Sequence, residues 1–232
     1  MKENFTRIAV ILDRSGSMSS VRESTVSGFN EFIRSQRALP GDVSVKLVQF
    51  DDQYEVVFDK RLADVPELTQ DLFVPRGRTA LFDAQGRTIV ALGEELAALA
   101  ESERPSKVIV MTLTDGLENA SSHFTVEMIS ALIKQQIEVY KWDFVFLGAN
   151  QDAIRTAATM SIPAGSALTF LATTGSSRRV FQAASDYVSA GRSMRAAQPM
   201  FSKETRAAVM AEDDDKPKQR KVTPAPPAPA VP

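Results

Sequence analysis

Five small oxygen-bearing residues, spread over three parts of the chain, form a pattern that could bind a metal ion. Asp13, Ser15 and Ser17 lie together in DRSGS, Thr79 lies in GRTALFDA, and Asp115 lies in LTDG. Carboxylate and hydroxyl oxygens are hard ligands, and no imidazole or thiolate accompanies them, so the set fits Mg²⁺ best, with Mn²⁺ as the alternative. Because hydroxyls neutralise no charge, a metal held mainly by them would keep affinity for one more anionic oxygen.

The elements before these segments predict that they meet in space. Ile8 to Leu12 is a short β-branched-rich run that ends at Asp13, and Val108 to Leu113 is a similar run that ends just before Asp115. Continuous apolar runs of this length are typical of strands buried on both faces of a sheet. In an open parallel sheet, ligands bind at the edge where the carboxyl ends of the strands lie. We therefore expect the five residues at that edge.

The rest of the chain alternates between strand and helix patterns. Strands are predicted at Val43 to Phe50, Tyr54 to Phe58, Trp142 to Leu147 and Ala167 to Ala172. Helices are predicted from the Ser20/Glu23 capping-box pair, and then from Ala80, Val126, Asp152 and Ser176. The three-residue turn after Phe50 forces an antiparallel hairpin. The predicted fold is α/β and doubly wound, a mostly parallel six-stranded sheet with one antiparallel edge strand and helices on both faces.

A change of composition divides the chain into a domain and a tail. Residues 1–195 carry the alternating pattern and are predicted to form one domain. Residues 196–232 include EDDD, KPKQRK and the ending VTPAPPAPAVP, which is too polar and too rich in proline to form a core. We expect a disordered, charged and Pro/Ala-rich tail, and the alternative is a ligand for a proline-binding groove.

Bulk composition excludes several classes of function. The net charge is −2 and there is no cysteine, so we expect no general attraction to nucleic acid and exclude disulfides and thiolate metal sites. The N-terminal apolar run is only five residues long and ends at Asp13, which is too short for a signal peptide. No stretch approaches the roughly 18 apolar residues of a membrane span. These features predict a soluble, cytoplasmic protein without membrane contact.

The three motifs together resemble a known family. The segment ILDRSGSMSS is similar to the first part of the metal-ion-dependent adhesion site of von Willebrand factor type A domains, whose pattern is Asp-x-Ser-x-Ser, then a Thr, then an Asp. The first part falls on Asp13, Ser15 and Ser17, the Thr on Thr79 and the Asp on Asp115. The likeness in order, spacing and strand placement covers about residues 5 to 195.

The resemblance implies a function as well as a fold. Domains of this family are Rossmann-like and bind Mg²⁺ through the two serines and the threonine, the aspartates act mostly through water, and a partner's Glu or Asp completes the site. Intracellular members often work with AAA-type ATPases or in stress-response assemblies. We therefore expect a protein-interaction module that is not an enzyme. The alternative is a Mg²⁺-dependent hydrolase or a nucleotide-binding protein, although the glycine-rich phosphate loops and the G-x-S-x-G motif are absent.

Three arginines accompany the predicted ligands. Arg14 lies between Asp13 and Ser15, and Arg76 and Arg78 immediately precede Thr79. We expect all three at the rim of the metal crevice. They could be ordinary exposed loop residues, or they could steer the acidic groups of a partner toward the metal through faster association.

Overall fold

A six-stranded sheet forms the centre of the protein. The computed structural model describes residues 1–150, 152–193 and 198–211. Its strands are β1 (Lys2–Asp13), β2 (Asp42–Phe50), β3 (Tyr54–Arg61), β4 (Pro105–Thr114), β5 (Asp143–Ala149) and β6 (Ala167–Phe170). Their order is β3-β2-β1-β4-β5-β6, and only the β2–β3 pair is antiparallel. The predicted fold class is confirmed.

Helices cover both faces of this sheet. They are α1 (Arg22–Arg37), α2 (Leu81–Ala98), α3 (Val126–Glu138), α4 (Ala153–Thr159), α5 (Thr174–Ser193) and α6 (Lys203–Met210). Buried residues of α1, α5 and α6 belong to one apolar cluster, and those of α2, α3 and α4 belong to a second. In the described part of the chain, no helix combines the length and the apolar character needed to cross a membrane.

The central strand β1 explains why both clusters form. Ile8, Val10 and Leu12 contribute to the first cluster, whereas Ala9 and Ile11 contribute to the second, and all five are fully buried. Successive side chains of a strand point to opposite faces, so an unbroken apolar run supplies both layers at once. This packing holds the end of β1, and therefore Asp13, in a fixed position.

The start of α1 differs from its prediction. A 3₁₀ turn, Gly16–Val21, comes before α1, and the helix begins at Arg22 without a side-chain cap. The Ser20 hydroxyl, which the capping-box pattern assigns to the helix, donates to the Ser17 carbonyl within the turn. Met18, within this turn, is fully buried in the first apolar cluster.

The domain is longer than the sequence pattern predicts. The predicted boundary at residue 195 is wrong, because α6 packs beside α5 and β6. Phe201 and Val209 are buried in the first apolar cluster. The middle of α6 consists of two polar residues and two alanines. Its apolar pattern is therefore too short to predict a buried helix in a charged stretch. Of the predicted tail, residues 196–232, the part from residue 212 onward lies outside the described residues.

Polar contacts fix this C-terminal segment along the β6 edge. The Phe201 amide donates to the Gly165 carbonyl at 2.9 Å. The Arg206 guanidinium donates to the carbonyls of Ala164 and Ala167, both at 2.7 Å. Near the other end of α6, the Ser176 hydroxyl donates to the Val209 carbonyl at 2.6 Å. The segment therefore covers an edge strand that would otherwise be open to pairing with another chain.

Candidate metal centre

The first predicted segment begins with a fully buried carboxylate. Asp13 is the last residue of β1, and its Oδ1 accepts a hydrogen bond from the Ser15 amide at 2.6 Å. Its Oδ2 accepts one from the hydroxyl of Thr114 at 2.6 Å. Thr114 is the last residue of the neighbouring β4, so the aspartate joins the carboxyl ends of the two central strands. Sequence reasoning missed Thr114, although its position directly before Asp115 is visible in LTDG.

The two serines connect this carboxylate to the third predicted segment. The Ser15 and Ser17 hydroxyls lie 3.1 Å apart, and the Ser17 hydroxyl donates to Oδ1 of Asp115 at 2.6 Å. Ser15 is buried, whereas Ser17 is exposed. Asp13, Ser15, Ser17 and Asp115 therefore form one continuous chain of polar contacts that runs from the interior to the surface.

Thr79 reaches the same place from the start of α2. The residue is buried just before the N-cap of the helix, Ala80, and it makes no side-chain cap. A Cβ atom added to Gly116 would lie 2.8 Å from the Thr79 hydroxyl oxygen, so only glycine fits beside this hydroxyl. Since Gly116 directly follows Asp115, the structure brings all five predicted ligands together.

Burial disfavours the charged forms of both aspartates. Burial raises the pKa of Asp13 to about 6, the hydrogen bonds from Thr114 and Ser15 offset part of this rise, and the charge of Asp115 adds to it. Burial also raises the pKa of Asp115, against a hydrogen bond from Ser17. Neither carboxylate forms an ion pair with a residue that the structure describes. A bound cation would stabilise both charges.

These residues fit a hard divalent cation. The set consists of two carboxylates and three hydroxyls, which are the oxygen ligands that Mg²⁺ and Mn²⁺ accept. In the described ranges there is no group of three or more His, Cys, Asp and Glu side chains that could hold a metal, so any site here must rely on hydroxyls. The narrow approach between Thr79 and Gly116 keeps the third hydroxyl in the set.

One of the three predicted rim arginines is not at the rim. The side chain of Arg14 is 6% exposed and turns toward the β2–β3 hairpin. It donates to Asp51 at 3.2 Å and to Glu55 at 2.6 Å. The expectation for Arg14 is therefore wrong, because two acidic partners hold it beneath the surface. Its neighbour Gln49 is also buried.

The other two arginines lie at the surface beside the site. Arg76 is half-exposed and donates to the fully buried Asp51 at 2.8 Å. Arg78 is exposed and donates to the main-chain carbonyl of Asn119. Asp51 thus neutralises part of the positive charge that the sequence assigned to the rim.

Comparison with known proteins finds one similar family. Residues 8–118 match the family model described as von Willebrand factor type A domain. This range includes every predicted ligand. No curated protein sequence matches the chain.

Solved structures extend the likeness to the whole fold. Proximal thread matrix protein 1 from the mussel byssus has a TM-score of 0.56 and 16% identity, over 82% of this chain and 47% of that one. A von Willebrand factor type A protein from Catenulispora acidiphila has a TM-score of 0.56 and 15% identity, over 80% and 42%.

The pilus adhesin SpaC from Lactobacillus rhamnosus GG has a TM-score of 0.59 and 12% identity, over 82% of this chain and 30% of that one. The chain thus matches less than half the length of each of these three structures. At such identities the likeness concerns the fold. Residues 8–118 are thus similar to von Willebrand factor type A domains, and the solved structures share the fold of this chain.

Proposed function

We propose that the chain is a metal-dependent protein-recognition module whose Mg²⁺ or Mn²⁺ is held by Asp13, Ser15, Ser17, Thr79 and Asp115. The observation that carries this proposal is the meeting of two carboxylates and the serine hydroxyls in one polar chain without a cationic side chain. Burying carboxylate charge without a counter-charge is unfavourable, and a divalent cation removes that cost. When bound, the metal supplies an electrophilic centre for an anionic oxygen.

The protein's own residues leave that centre open to a partner. Asp13 and Ser15 are buried, whereas Ser17 is exposed and Asp115 is partly exposed. The inner residues can hold the ion while its outer side faces solvent. Because the hydroxyls neutralise no charge, the ion would retain affinity for an Asp or Glu side chain of another protein. The adhesin among the similar structures is a further argument for binding.

The arrangement favours recognition over hydrolysis. His123, the only histidine of the chain, contacts Asp83 and Arg87 instead of the metal-site hydroxyls. A cavity of about 960 Å³ lies near the start of β1, at the opposite end of the sheet from the proposed ligands, and it is lined by Phe5, Val43 and Leu62 among others. We therefore propose that the chain is not an enzyme.

Calorimetry and thermal unfolding test the metal. Titration of Mg²⁺ should give one site per chain, and the same ion should raise the melting temperature because it binds the folded state only. At 100 times Kd the stabilisation is about 2.7 kcal/mol, which corresponds to roughly 5–10 °C for a domain of this size. If millimolar Mg²⁺ and EDTA give the same melting temperature and no heat of binding, the metal site does not exist.

Capture from a cell extract then tests the partner. The chain is immobilised in Mg²⁺ and, in parallel, in EDTA, and proteins retained only with Mg²⁺ are identified. We expect an acidic side chain in the contact, so charge-removing substitution of that side chain should abolish retention. The cytoplasmic location and an AAA-type ATPase or stress-response partner stay predictions, which fractionation and the identity of the retained proteins check.

A further inference from the structure

Asp83, in the first turn of α2, binds the segment that follows the third metal-site motif. Its Oδ1 accepts the amides of His123 and Phe124 at 2.9 and 2.8 Å. Its Oδ2 accepts the Ser122 amide at 3.1 Å and lies 3.1 Å from Nδ1 of His123. Asp83 is only 8% exposed, so these bonds hold residues 122–124 to the helix in a water-poor setting.

Glu118 makes the reciprocal connection from that segment to the helix. Its Oε2 accepts the Phe82 amide at 3.0 Å and the Ser121 hydroxyl at 2.7 Å. The Ser121 hydroxyl oxygen in turn accepts the Asp83 amide at 3.0 Å. The first amides of a helix have no partner within the helix, and the N-cap residue of α2 supplies none. Residues 118–121 therefore cap α2.

We call these contacts of Asp83 and Glu118, which join residues 118–124 to the start of α2, the clamp. The clamp also reaches the proposed metal ligands. The Thr79 amide donates to the side-chain carbonyl of Asn119 at 3.0 Å, and the Asn119 amide donates to the Thr79 carbonyl at 3.0 Å. On the same segment, a Cβ atom added to Gly116 would meet the Thr79 hydroxyl, and Gly116 directly follows Asp115. Thr79 and Asp115 are 36 residues apart, and the clamp is what joins the two loops that carry them.

Apolar packing closes the far end of the clamp. A Cβ atom added to Gly86 on α2 would lie 2.4 Å from the ring of Phe124. The Phe124 ring therefore lies directly against the helix backbone, one turn after Asp83. The segment is held at Asn119, at Glu118 and at residues 122–124, which leaves it little freedom to move relative to Thr79.

We propose that Asp83 and Glu118 are positioning residues of the metal site, which hold residues 116–124 against the start of α2 so that Thr79 and Asp115 face one metal ion. The inference rests on the proposed function. The positioning role is distinct from the role of the five proposed ligands, because neither the Asp83 nor the Glu118 carboxylate contacts a ligand side chain. Groups that orient metal ligands commonly change affinity by 10-fold to 100-fold when they are lost.

The test compares the wild-type chain with Asp83→Asn and Glu118→Gln. Each amide is isosteric with its acid but offers an NH₂ group to amide donors. Mg²⁺ affinity is measured by calorimetry well below the melting temperature, and bound Mn²⁺ is measured by electron paramagnetic resonance. We expect each variant to bind Mg²⁺ at least about 10-fold more weakly. The spectrum of bound Mn²⁺ should broaden because the ligands sample more than one arrangement.

A matched control separates positioning from general stability. Asp143→Asn alters a carboxylate that is 1% exposed and accepts hydrogen bonds from Tyr187 and Gln198. It lies at the start of β5, at the end of the sheet opposite the site. This variant should lower the melting temperature and leave both metal readouts unchanged. Should Asp83→Asn fail to fold, Glu118→Gln, on the more exposed side of the clamp, carries the test.

The outcomes distinguish this inference from the proposed function. If the wild-type chain binds no Mg²⁺, the proposed function fails and the positioning role fails with it. If the wild-type chain binds Mg²⁺ and both clamp variants bind it equally well with unchanged Mn²⁺ spectra, only the positioning role is overturned. Weaker binding in Asp143→Asn as well would also overturn it, because the effect would then follow stability.

Discussion

Two buried aspartates, Asp13 in the proposed metal centre and Asp83 in the clamp, differ in how many donors surround them. Asp13 receives one amide and one hydroxyl, and burial raises its pKa to about 6. Asp83 receives three amides and a contact from His123. Although burial alone would raise the pKa of Asp83, these bonds outweigh it and lower the pKa to about 2.

The difference separates the proposed metal ligand, Asp13, from a structural carboxylate, Asp83. A buried carboxylate whose donors are sufficient stabilises the fold in its charged form. A buried carboxylate with too few donors remains a place where positive charge is needed. Both residues lie near the carboxyl edge of the sheet, but Asp13 is the more deeply buried of the two and has fewer donors, so burial and hydrogen bonding together set the difference.

The largest effect is expected at Asp13. Asp13→Asn should reduce Mg²⁺ affinity by at least about 100-fold, because it removes a ligand and not merely its orientation. The metal-free variant should melt no lower than the wild-type chain, since a poorly compensated buried charge disappears. Calorimetry and thermal unfolding in EDTA measure the two quantities. A clear loss of metal-free stability would show that Asp13 is structural, as Asp83 is.

Removing the C-terminal segment should lower the melting temperature and leave Mg²⁺ affinity unchanged, which is the reverse of the effect expected for Asp13→Asn. Truncation after residue 198 deletes Phe201 and Val209, whose burial contributes at most about 3–6 kcal/mol together. We expect the melting temperature to fall by roughly 10 °C at 2–4 °C per kcal/mol, while Mg²⁺ affinity is unchanged in the folded fraction. Truncation after residue 211, which keeps α6, is the control and should melt as the full chain does. Equal melting of both truncated forms would contradict the packing of α6.

Asp83→Asn should destabilise the metal-free protein. The lowering of the Asp83 pKa from 3.8 to about 2 corresponds to a stabilisation on the order of 2 kcal/mol. In EDTA at neutral pH, the variant should therefore melt about 4–8 °C below the wild-type chain. The contrast with Asp13→Asn sharpens the comparison, because the same chemical change should lower stability at one aspartate and spare it at the other.

The dependence of that gap on pH tests its electrostatic origin. The pKa of Asp83 is lower in the folded than in the unfolded state, so its charge stabilises the fold fully above about pH 4. That contribution is lost as the pH falls from about 4 toward 2. The difference in unfolding free energy between the wild-type chain and Asp83→Asn, measured by urea denaturation, should shrink over that interval. A constant difference would indicate that the two side chains differ in packing and not in charge.

The smallest effect concerns the surface arginines. Arg76→Gln with Arg78→Gln keeps polar contacts but removes two charges beside the metal, so association with an acidic partner should slow several-fold at low salt and less at high salt. Glutamine is preferred to glutamate because a negative charge at 76 would face the buried Asp51. Surface-binding kinetics at two ionic strengths measure the rates. Equal rates at low salt would show that neither arginine steers the partner.

Periodicity and motif order predict the architecture and bring the five ligands to one edge. The run from Ile8 to Leu12 is buried on both faces, as continuous apolar strands are. The antiparallel hairpin follows from its three-residue turn. These features succeed because they depend on short stretches of sequence or on a rule about sheet edges.

The failures depend on long-range pairing. Arg14 is predicted at the rim because the residues on either side of it are predicted ligands. Its position is instead set by Asp51, which is 37 residues away in the sequence. The clamp joins Asp83 to residues 39 to 41 positions later, which no local pattern encodes. Thr114 acts through Asp13, 101 residues before it. The burial of α6 depends on two apolar side chains that meet a surface formed by distant parts of the chain.

The course of α6 decides where the following chain begins. α5 ends at the edge of the sheet where β5 starts. The segment from Gln198 to Ala211 then returns to the beginning of α5, where Arg179 donates to the Ala211 carbonyl. The beginning of α5 follows the end of β6, at the same edge of the sheet as the proposed metal centre. Three strand spacings, about 15 Å, separate β6 from β1. Ala211 therefore lies on the side of the sheet where the proposed metal centre is, whereas a chain leaving from the end of α5 would start on the opposite side.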